Sequence, residues 1–190
     1  MNSQEPILND FPDHFETERL LVRCPRPGDG SALYGAVEAS QPELNRWMPW
    51  SYNYTLNAAE VFVRGAQAEF LRRENLPLSI FRKTDGLYLG GTGLHDIVWN
   101  VPRFEIGYWL RTDCTGEGYM TEAVIALTDF CRAHFQARRM TIRCDSLNER
   151  SRRVAERAGY TLESITHHDR RGLDDNTLRD TLTFAKTWPD

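Results

Sequence analysis

The chain has 190 residues, of which 41% are hydrophobic and 11% aromatic, and its formal net charge is −4. This composition is typical of a globular domain and excludes a disordered chain, while the negative charge argues against a nucleic-acid partner. No apolar run approaches the ~20 residues of a membrane span, and the opening MNSQEPILNDF lacks the pattern of a signal peptide. The four cysteines are scattered without a CxxC pair, which predicts free thiols in the cytoplasm and no zinc site.

We predict a loose lead-in over residues 1–14 and a single domain over residues 15–190. The apolar periodicity gives these elements in chain order: a strand at 19–23, helices at 29–39 and about 57–74, three antiparallel strands between 78 and 111, a helix at 116–135, a strand at 140–145, a helix at 148–158 and two closing strands. This order predicts a mixed α/β domain, in which about four helices flank one central, mostly antiparallel sheet.

The helix at 57–74 has the clearest local signals of the first half of the chain. Asn57 with Glu60 resembles a capping box, which would begin the helix. Phe62, Ala66 and Phe70 recur at four-residue spacing, so we expect these three side chains to face the core.

The segment TGEGYMTEAV, residues 115–124, lies between the strand FEIGYWLR and a predicted long helix. A P-loop is excluded because the segment has no lysine, and the Rossmann fingerprint fails because its third glycine is replaced by Thr121. Two readings remain open from the spacing alone. Gly116 and Gly118 could let an anion approach the helix N-terminus, or they could form a plain tight turn.

FEIGYWLRTDCTGEGYMTEAV, followed by NERSRRVAERAGY, resembles the GNAT N-acetyltransferases, and specifically their RimJ/RimL-like branch. Members of that branch acetylate N-terminal amines of ribosomal proteins. ETERLLVR, WMPW, GGTGLHDI and RDTLTFAK extend the resemblance over the chain from about residue 15. The resemblance implies the GNAT fold, in which the strands at about 104–111 and 139–145 splay apart. It also implies acetyl-CoA as the co-substrate, held in the gap between them.

The resemblance further implies which residues hold CoA. The backbone amides of one segment would wrap its pyrophosphate: Thr115, Gly116, Glu117, Gly118, Tyr119, Met120 and Thr121. The preceding strand would lend main-chain groups to the pantetheine arm and the acetyl carbonyl: Tyr108, Trp109 and Leu110. The family usually has Gln or Arg at the position of Thr115, so one side-chain contact is expected to be lost.

The motif NERS, residues 148–151, opens the helix that follows. Asn148 suits a helix N-cap, and Ser151 suits a capping partner or an exposed serine. The resemblance implies that Asn148 contacts CoA and that the Ser151 hydroxyl stabilises or protonates the leaving thiolate. The arginines of this helix alternate with glutamates, as on a solvated face, although Arg152 or Arg153 would suit the CoA phosphates.

Transfer to an amine requires a base, because only the neutral nitrogen attacks the thioester. Glu105 on the donor strand is the first candidate, since the family often has Glu there, and a half-exposed strand glutamate is the alternative. His95 is the second candidate because an imidazole titrates near neutrality. Some relatives have a glutamate in the segment matching 167–171, where this chain has HHDRR, so that role is not transferred. The adjacent histidines there have no partner at metal-ligand spacing, and we predict no metal.

The aromatic loop NRWMPWSYNYT, residues 45–55, is the candidate acceptor wall. Trp47, Trp50 and Tyr52 would line a pocket there, because the loop flanks the acceptor site in GNAT folds; ordinary core is the alternative. The resulting prediction is an acetyl-CoA-dependent N-acetyltransferase that acts on a primary amine, with a protein N-terminus as the leading acceptor. A small-molecule amine and a non-catalytic acyl-CoA sensor are the alternatives, and the resemblance to RimL-like proteins allows a homodimer.

Overall fold

A computed structural model describes residues 5–189 of the chain. It contains eight strands and five α-helices within that range: β1 His14–Glu16, β2 Leu20–Arg23, α1 Gly30–Glu38, α2 Gln41–Trp47, α3 Leu56–Arg72, β3 Leu76–Arg82, β4 Tyr88–Val98, β5 Arg103–Leu110, α4 Tyr119–Phe135, β6 Arg139–Asp145, α5 Glu149–Arg157, β7 Thr161–Arg171 and β8 Leu178–Thr187. The strands form one sheet in the order β1-β2-β3-β4-β5-β6-β8-β7. The predicted mixed α/β class is confirmed, with β1 and α2 as elements that the sequence patterns missed.

The missed helix α2 explains why the aromatic segment is only partly a loop. Pro42 lies in the first turn of α2, where its missing N–H costs no helix hydrogen bond. Trp47 is the last residue of α2, so the loop begins at Met48 rather than at residue 45. Strand β1 has only three residues, too few for an alternating pattern to be recognised.

Helix α3 begins two residues earlier than a cap at Asn57 would require. The Thr55 side chain accepts a hydrogen bond from the Ala58 N–H at 3.1 Å, so Thr55 is the N-cap and the predicted capping box is wrong. Phe62 is 48% exposed, whereas Val63 is 1% exposed and takes the predicted inward place of Phe62. Ala66 and Phe70 are buried as predicted, so the stripe follows the helical period and only the prediction for Phe62 is wrong.

The chain joins the core before the predicted boundary at residue 15. The Phe11 ring packs against the rings of Phe70 and Phe135, with centroid distances of 5.7 and 4.6 Å. Residues 1–4 of the expected lead-in lie outside the described range. The four cysteines are buried free thiols, as their spacing predicts.

The sheet splits between β5 and β6, its one parallel pair within the described residues. Arg103, Phe104 and Glu105 pair with Arg139, Met140 and Thr141, and the pairing ends there. From Ile142 to Asp145, β6 pairs only with β8 on its other side. The carboxyl-terminal half of β5 pairs with β4 but not with β6. It therefore diverges from β6, and the gap between these two strands matches the expected splay.

Candidate active site

The gap between β5 and β6 opens into a cavity of about 820 Å³. Strands β4, β5 and β6 contribute to its walls, together with the first turn of α5, the loop after α2 and the β7–β8 loop. Predicted site residues from both halves of the reaction line it: Glu105, His95, Tyr108, Trp109, Asn148, Ser151, Trp47 and Trp50. The topology thus brings together residues that are more than a hundred positions apart in sequence.

The predicted pyrophosphate loop leads into the N-terminus of α4, a 17-residue helix. Gly116 and Gly118 have φ angles of +90° and +81°, in the left-handed region that favours glycine. The first helical hydrogen bond is donated by the Glu122 N–H to the Gly118 carbonyl, so the N–H groups of residues 119–121 precede it. Met120 is 4% exposed and belongs to the hydrophobic core. The geometry suits an anion at this helix end.

Arg19 supports this loop from β1–β2, and the sequence patterns did not single it out. Its Nη1 donates to the Glu117 carbonyl at 3.0 Å, and its Nε donates to a Glu122 carboxylate oxygen at 2.7 Å. The same guanidinium lies 4.5 Å from the centroid of the Tyr119 ring. Arg19 therefore fixes the loop and places a positive charge beside it. The sequence did hold one signal for Arg19, because this residue lies in ETERLLVR, a segment that resembles the family.

Two of the predicted phosphate contacts are engaged within the protein. The Thr115 hydroxyl donates to the Thr112 carbonyl at 2.8 Å, inside its own loop. Arg153 pairs with Glu149 one turn away at 2.9 Å, and both side chains are mostly exposed. Neither residue lines the cavity, and the pairing of Arg153 matches a salt-bridged helix face. Leu110 also lies outside the cavity, where it packs against the core.

Two hydroxyl groups meet at the first turn of α5. The Asn148 side chain accepts from the Ser151 N–H at 3.0 Å, so Asn148 is the N-cap of this helix. The Tyr108 hydroxyl lies 3.0 Å from the Ser151 Oγ and donates to the Ser151 carbonyl at 3.0 Å. Burial raises the pKa of Tyr108 above its ordinary value, which keeps the phenol protonated and able to donate. Sequence reasoning assigned Tyr108 only a main-chain role, because the distance to Ser151 depends on the fold.

The two candidate bases face each other across β4 and β5. His95 and Glu105 are register partners, and the His95 Nε2 lies 3.9 Å from a Glu105 carboxylate oxygen. A Cβ at Gly107 would lie 2.9 Å from that same ring nitrogen, so glycine leaves room for the imidazole. The Glu105 side chain is 16% exposed, and burial raises its pKa, opposed by the charges of His95, Arg143 and Arg170. A raised pKa is closer to that of an amine, as suits a general base.

Aromatic rings form another part of the cavity wall. The Trp109 ring packs on Tyr88 and Trp50, with centroid distances of 6.2 and 5.8 Å, and Trp50 also contacts Tyr54. Tyr52 does not line the cavity: it is 46% exposed, and its hydroxyl donates to the carbonyl of Leu173 at 3.4 Å. Its neighbour Tyr54 takes the place predicted for it.

The β7–β8 loop lines the cavity with Gly172 and Leu173, and a buried arginine holds this loop. Arg179 is 5% exposed and contacts Asp174 and Asp175 of the loop at 2.9 and 2.8 Å. Its Nη1 also lies 3.7 Å from Asp145 on β6, which is itself 8% exposed. The loop is thereby joined to the strand that borders the gap.

The structure of residues 5–189 also bears on metal binding and on membrane insertion. Among residues 5–189, no group of three or more His, Cys, Asp or Glu side chains could hold a metal ion. Over the same range, no helix combines the length and apolar character needed to cross a membrane.

Residues 19–161 match the family model of the acetyltransferase (GNAT) domain. Because the match covers more than half of the 190 residues, the chain belongs to the GNAT acetyltransferase family. The protein is an acetyltransferase with acetyl-CoA as its co-substrate, as the sequence motifs predict. Within the family, its relatives place it in the RimJ/RimL-like branch.

Three of these similar proteins illustrate the match. YdaF of Bacillus subtilis (strain 168), whose name describes a ribosomal N-acetyltransferase, is 24% identical over 169 residues, which are 88% of this chain and 90% of YdaF. The structure of the microcin C7 self-immunity acetyltransferase MccE with acetyl-CoA and AMP has a TM-score of 0.84 at 19% identity, over 95% of this chain and 99% of that one. The structure of RimL, a ribosomal L7/L12 alpha-N-protein acetyltransferase, in complex with CoA has a TM-score of 0.83 at 23% identity, over 90% of this chain and 95% of RimL.

Proposed function

We propose that the protein transfers the acetyl group of acetyl-CoA to a primary amine, and that the leading acceptor is a protein N-terminal α-amine. The observation that carries this proposal is the arrangement of two groups around one gap. Glu105 and His95 line the cavity at the β5–β6 opening, and the Tyr108–Ser151 hydroxyl pair lines the same cavity. A base and a proton donor that line one cavity suit direct attack of an amine on a thioester.

In this proposal each group has one task. Glu105 takes a proton from the amine, directly or through a water molecule, as the nitrogen bonds to the thioester carbon. The carbon–sulfur bond then breaks with its electron pair on the sulfur, the Ser151 and Tyr108 hydroxyls hydrogen-bond to the departing thiolate and relay a proton to it from solvent, and Glu105 releases its proton to solvent. The amides of residues 116–121 hold the pyrophosphate, with the charge of Arg19 beside them. The acetyl group passes to the amine without a covalent enzyme intermediate.

Two observations support a protein N-terminus as acceptor. The names of YdaF and RimL describe acetylation of ribosomal proteins. The cavity also opens at a loop rich in aromatic rings, and Trp50 there is 41% exposed, which suits contact with an extended peptide. A homodimer and a cytoplasmic location stay predictions from the sequence.

A small-molecule amine is the second candidate acceptor. The observation that favours it is the overall likeness to MccE, whose structure holds AMP as well as acetyl-CoA. A cavity of about 820 Å³ is also large enough to enclose most of a compact ligand.

Release of free thiol from acetyl-CoA, measured against a panel of N-terminal peptides and small amines, separates these candidates. Turnover with peptides, with the acetyl group located on the α-amine by mass spectrometry, is the expected result. Turnover with small amines alone would exclude the protein acceptor. Binding of CoA without turnover of any amine would favour a sensing module and overturn the proposal.

A further inference from the structure

Arginines dominate the acceptor side of the cavity. Four of them line it: Arg46, Arg143, Arg170 and Arg171. The lining carboxylates are Glu105 and Asp145, and the latter already lies 3.7 Å from the buried Arg179. The lining therefore holds more arginines than carboxylates.

Among residues 5–189, Arg170 and Arg171 have no acidic partner, unlike Arg46 and Arg143, and Arg171 instead donates from its Nη1 to the Asn176 carbonyl at 2.9 Å. Arg46 lies 3.4 Å from Asp174, and Arg143 lies 3.3 Å from Asp169. Within residues 5–189, no carboxylate oxygen lies within the 4 Å of an ion pair from Arg170. Its charge is therefore free to be matched by a ligand.

The Arg170 guanidinium is nevertheless held in place. Its Nε donates to the Thr181 Oγ1 at 3.2 Å. Thr181 is fully buried and donates its own proton to Asp169 at 2.6 Å, so the anchor is fixed. The Nη1 and Nη2 groups take no part in this contact. An arginine anchored at Nε presents these two donors as a fork, which suits a carboxylate or a phosphate.

Arg170 also lies within electrostatic reach of the reacting groups. Burial raises the pKa of Glu105, and the positive charge of Arg170 opposes that rise. Burial likewise raises the pKa of Cys144, beside Ser151, again opposed by Arg170. Arg170 and Glu105 also line the same cavity, so an acceptor held there can contact both.

This charge arrangement discriminates between acceptors. A simple cationic amine that approaches Glu105 is repelled by Arg143 and Arg170. An acceptor with an anionic group close to its amine places the ammonium at Glu105 and the anion at Arg170, so both interactions become favourable. We propose that Arg170 selects acceptors that carry a carboxylate or phosphate within a few bonds of the reacting amine. This inference rests on the proposed transferase function.

Matched acceptor pairs test this specificity. We would compare kcat/KM for peptides that begin with Asp or Asn, and for free aspartate against asparagine amide, in the wild type and in Arg170→Glu. The wild type should favour the acidic member of at least one pair by about 10- to 100-fold, the range of a charge-assisted fork. Arg170→Glu should remove or invert that preference while KM for acetyl-CoA stays unchanged. The peptide and free amino-acid arms identify the source of the anion.

Arg64→Glu is the matched control, because Arg64 is an exposed arginine of α3 that does not line the cavity. It should retain the wild-type preference. If Arg170→Glu does not fold, Arg170→Gln removes the charge and keeps an N–H donor for Thr181. Equal kcat/KM for acidic and neutral acceptors, unchanged by substitution of Arg170, would overturn this inference and leave the transferase function standing. Absence of thiol release with every amine would overturn the transferase function itself.

Discussion

Replacement of Glu105 by Gln tests whether this carboxylate is the base. Gln has nearly the same shape, so the substitution removes the charge and leaves the packing of a side chain that is 16% exposed. We expect kcat/KM at pH 7 to fall by about 10²-fold, the lower end of the range for general bases, because water can substitute in part. This loss corresponds to about 2.7 kcal/mol in the activation barrier. KM for acetyl-CoA should not change, since Glu105 faces the acceptor.

The dependence on pH makes the test specific. An N-terminal amine with a pKa near 8 is about one-tenth neutral at pH 7 and about nine-tenths neutral at pH 9. An amine that is already neutral needs less help from a base, so the deficit of Glu105→Gln should shrink by roughly tenfold over that interval. Thiol-release rates from pH 6 to 9 measure it. Glu16→Gln, on the exposed strand β1, is the control and should follow the wild-type profile. A deficit that stays constant with pH would refute the reasoning.

The free energy of unfolding gives an independent check on the environment of Glu105, because the direction of its change with pH follows from the raised pKa. The pKa of Glu105 in the folded protein lies above its ordinary value of 4.5, so the folded state binds this proton more tightly than the unfolded state does. As pH rises from 4.5 through the raised folded pKa, this group therefore lowers the free energy of unfolding. Glu105→Gln lacks that loss and should be at least as stable as the wild type at pH 7 in urea titrations. Marked destabilisation there would mean that the carboxylate has a structural role.

Three further substitutions test other parts of the site. Tyr108→Phe should lower kcat about tenfold, through loss of a proton donor, while Tyr160→Phe, which removes a hydroxyl bonded in the core, should not affect turnover. Gly116→Ala and Gly86→Ala both place a Cβ at positive φ with no atom within 4 Å, so each should cost about 1 kcal/mol of stability in urea titrations. Gly116→Ala alone should raise KM for acetyl-CoA, and equal KM values would argue against pyrophosphate at the loop. Arg179→Ala should lower the free energy of unfolding by about 3 kcal/mol, because it leaves a buried aspartate unpaired; a loss below about 1 kcal/mol, as for a surface pair, would contradict this.

The sequence predicted those features that depend on neighbouring residues. The helix predicted at 148–158 and the antiparallel strands predicted between 78 and 111 both appear, with Gly159 just after the helix and Gly86 in the turn between β3 and β4. Even the errors on α3 are local ones, since Thr55 and Asn57 are both good caps and only the packing decides between them. The Gly-x-Gly loop and the N-cap of α5 are likewise contiguous segments, so a family motif could identify them.

The features that were missed depend on the order of strands in the sheet. Tyr108 reaches Ser151 because β5 diverges from β6 above the start of α5. Arg170 and Glu105 line the same cavity although β6 and β8 separate β7 from β5 in the sheet. Nothing in the spacing of these residues along the chain encodes either contact, so a single sequence could not predict them.

The two halves of the cavity therefore differ in how much they reveal about function. The proposed donor site combines the Gly-x-Gly loop, which lies outside the cavity lining, with the first turn of α5, and both are contiguous segments that a family motif contains. The acceptor half is assembled from strands and loops that are distant in sequence, and its charge depends on a few exposed side chains. Substitution of an exposed residue such as Arg170 usually changes stability by less than about 0.5 kcal/mol, so acceptor preference can change while the fold and donor site stay intact. Membership of the family thus defines the acetyl donor, whereas the acceptor has to be inferred from the charges that face Glu105.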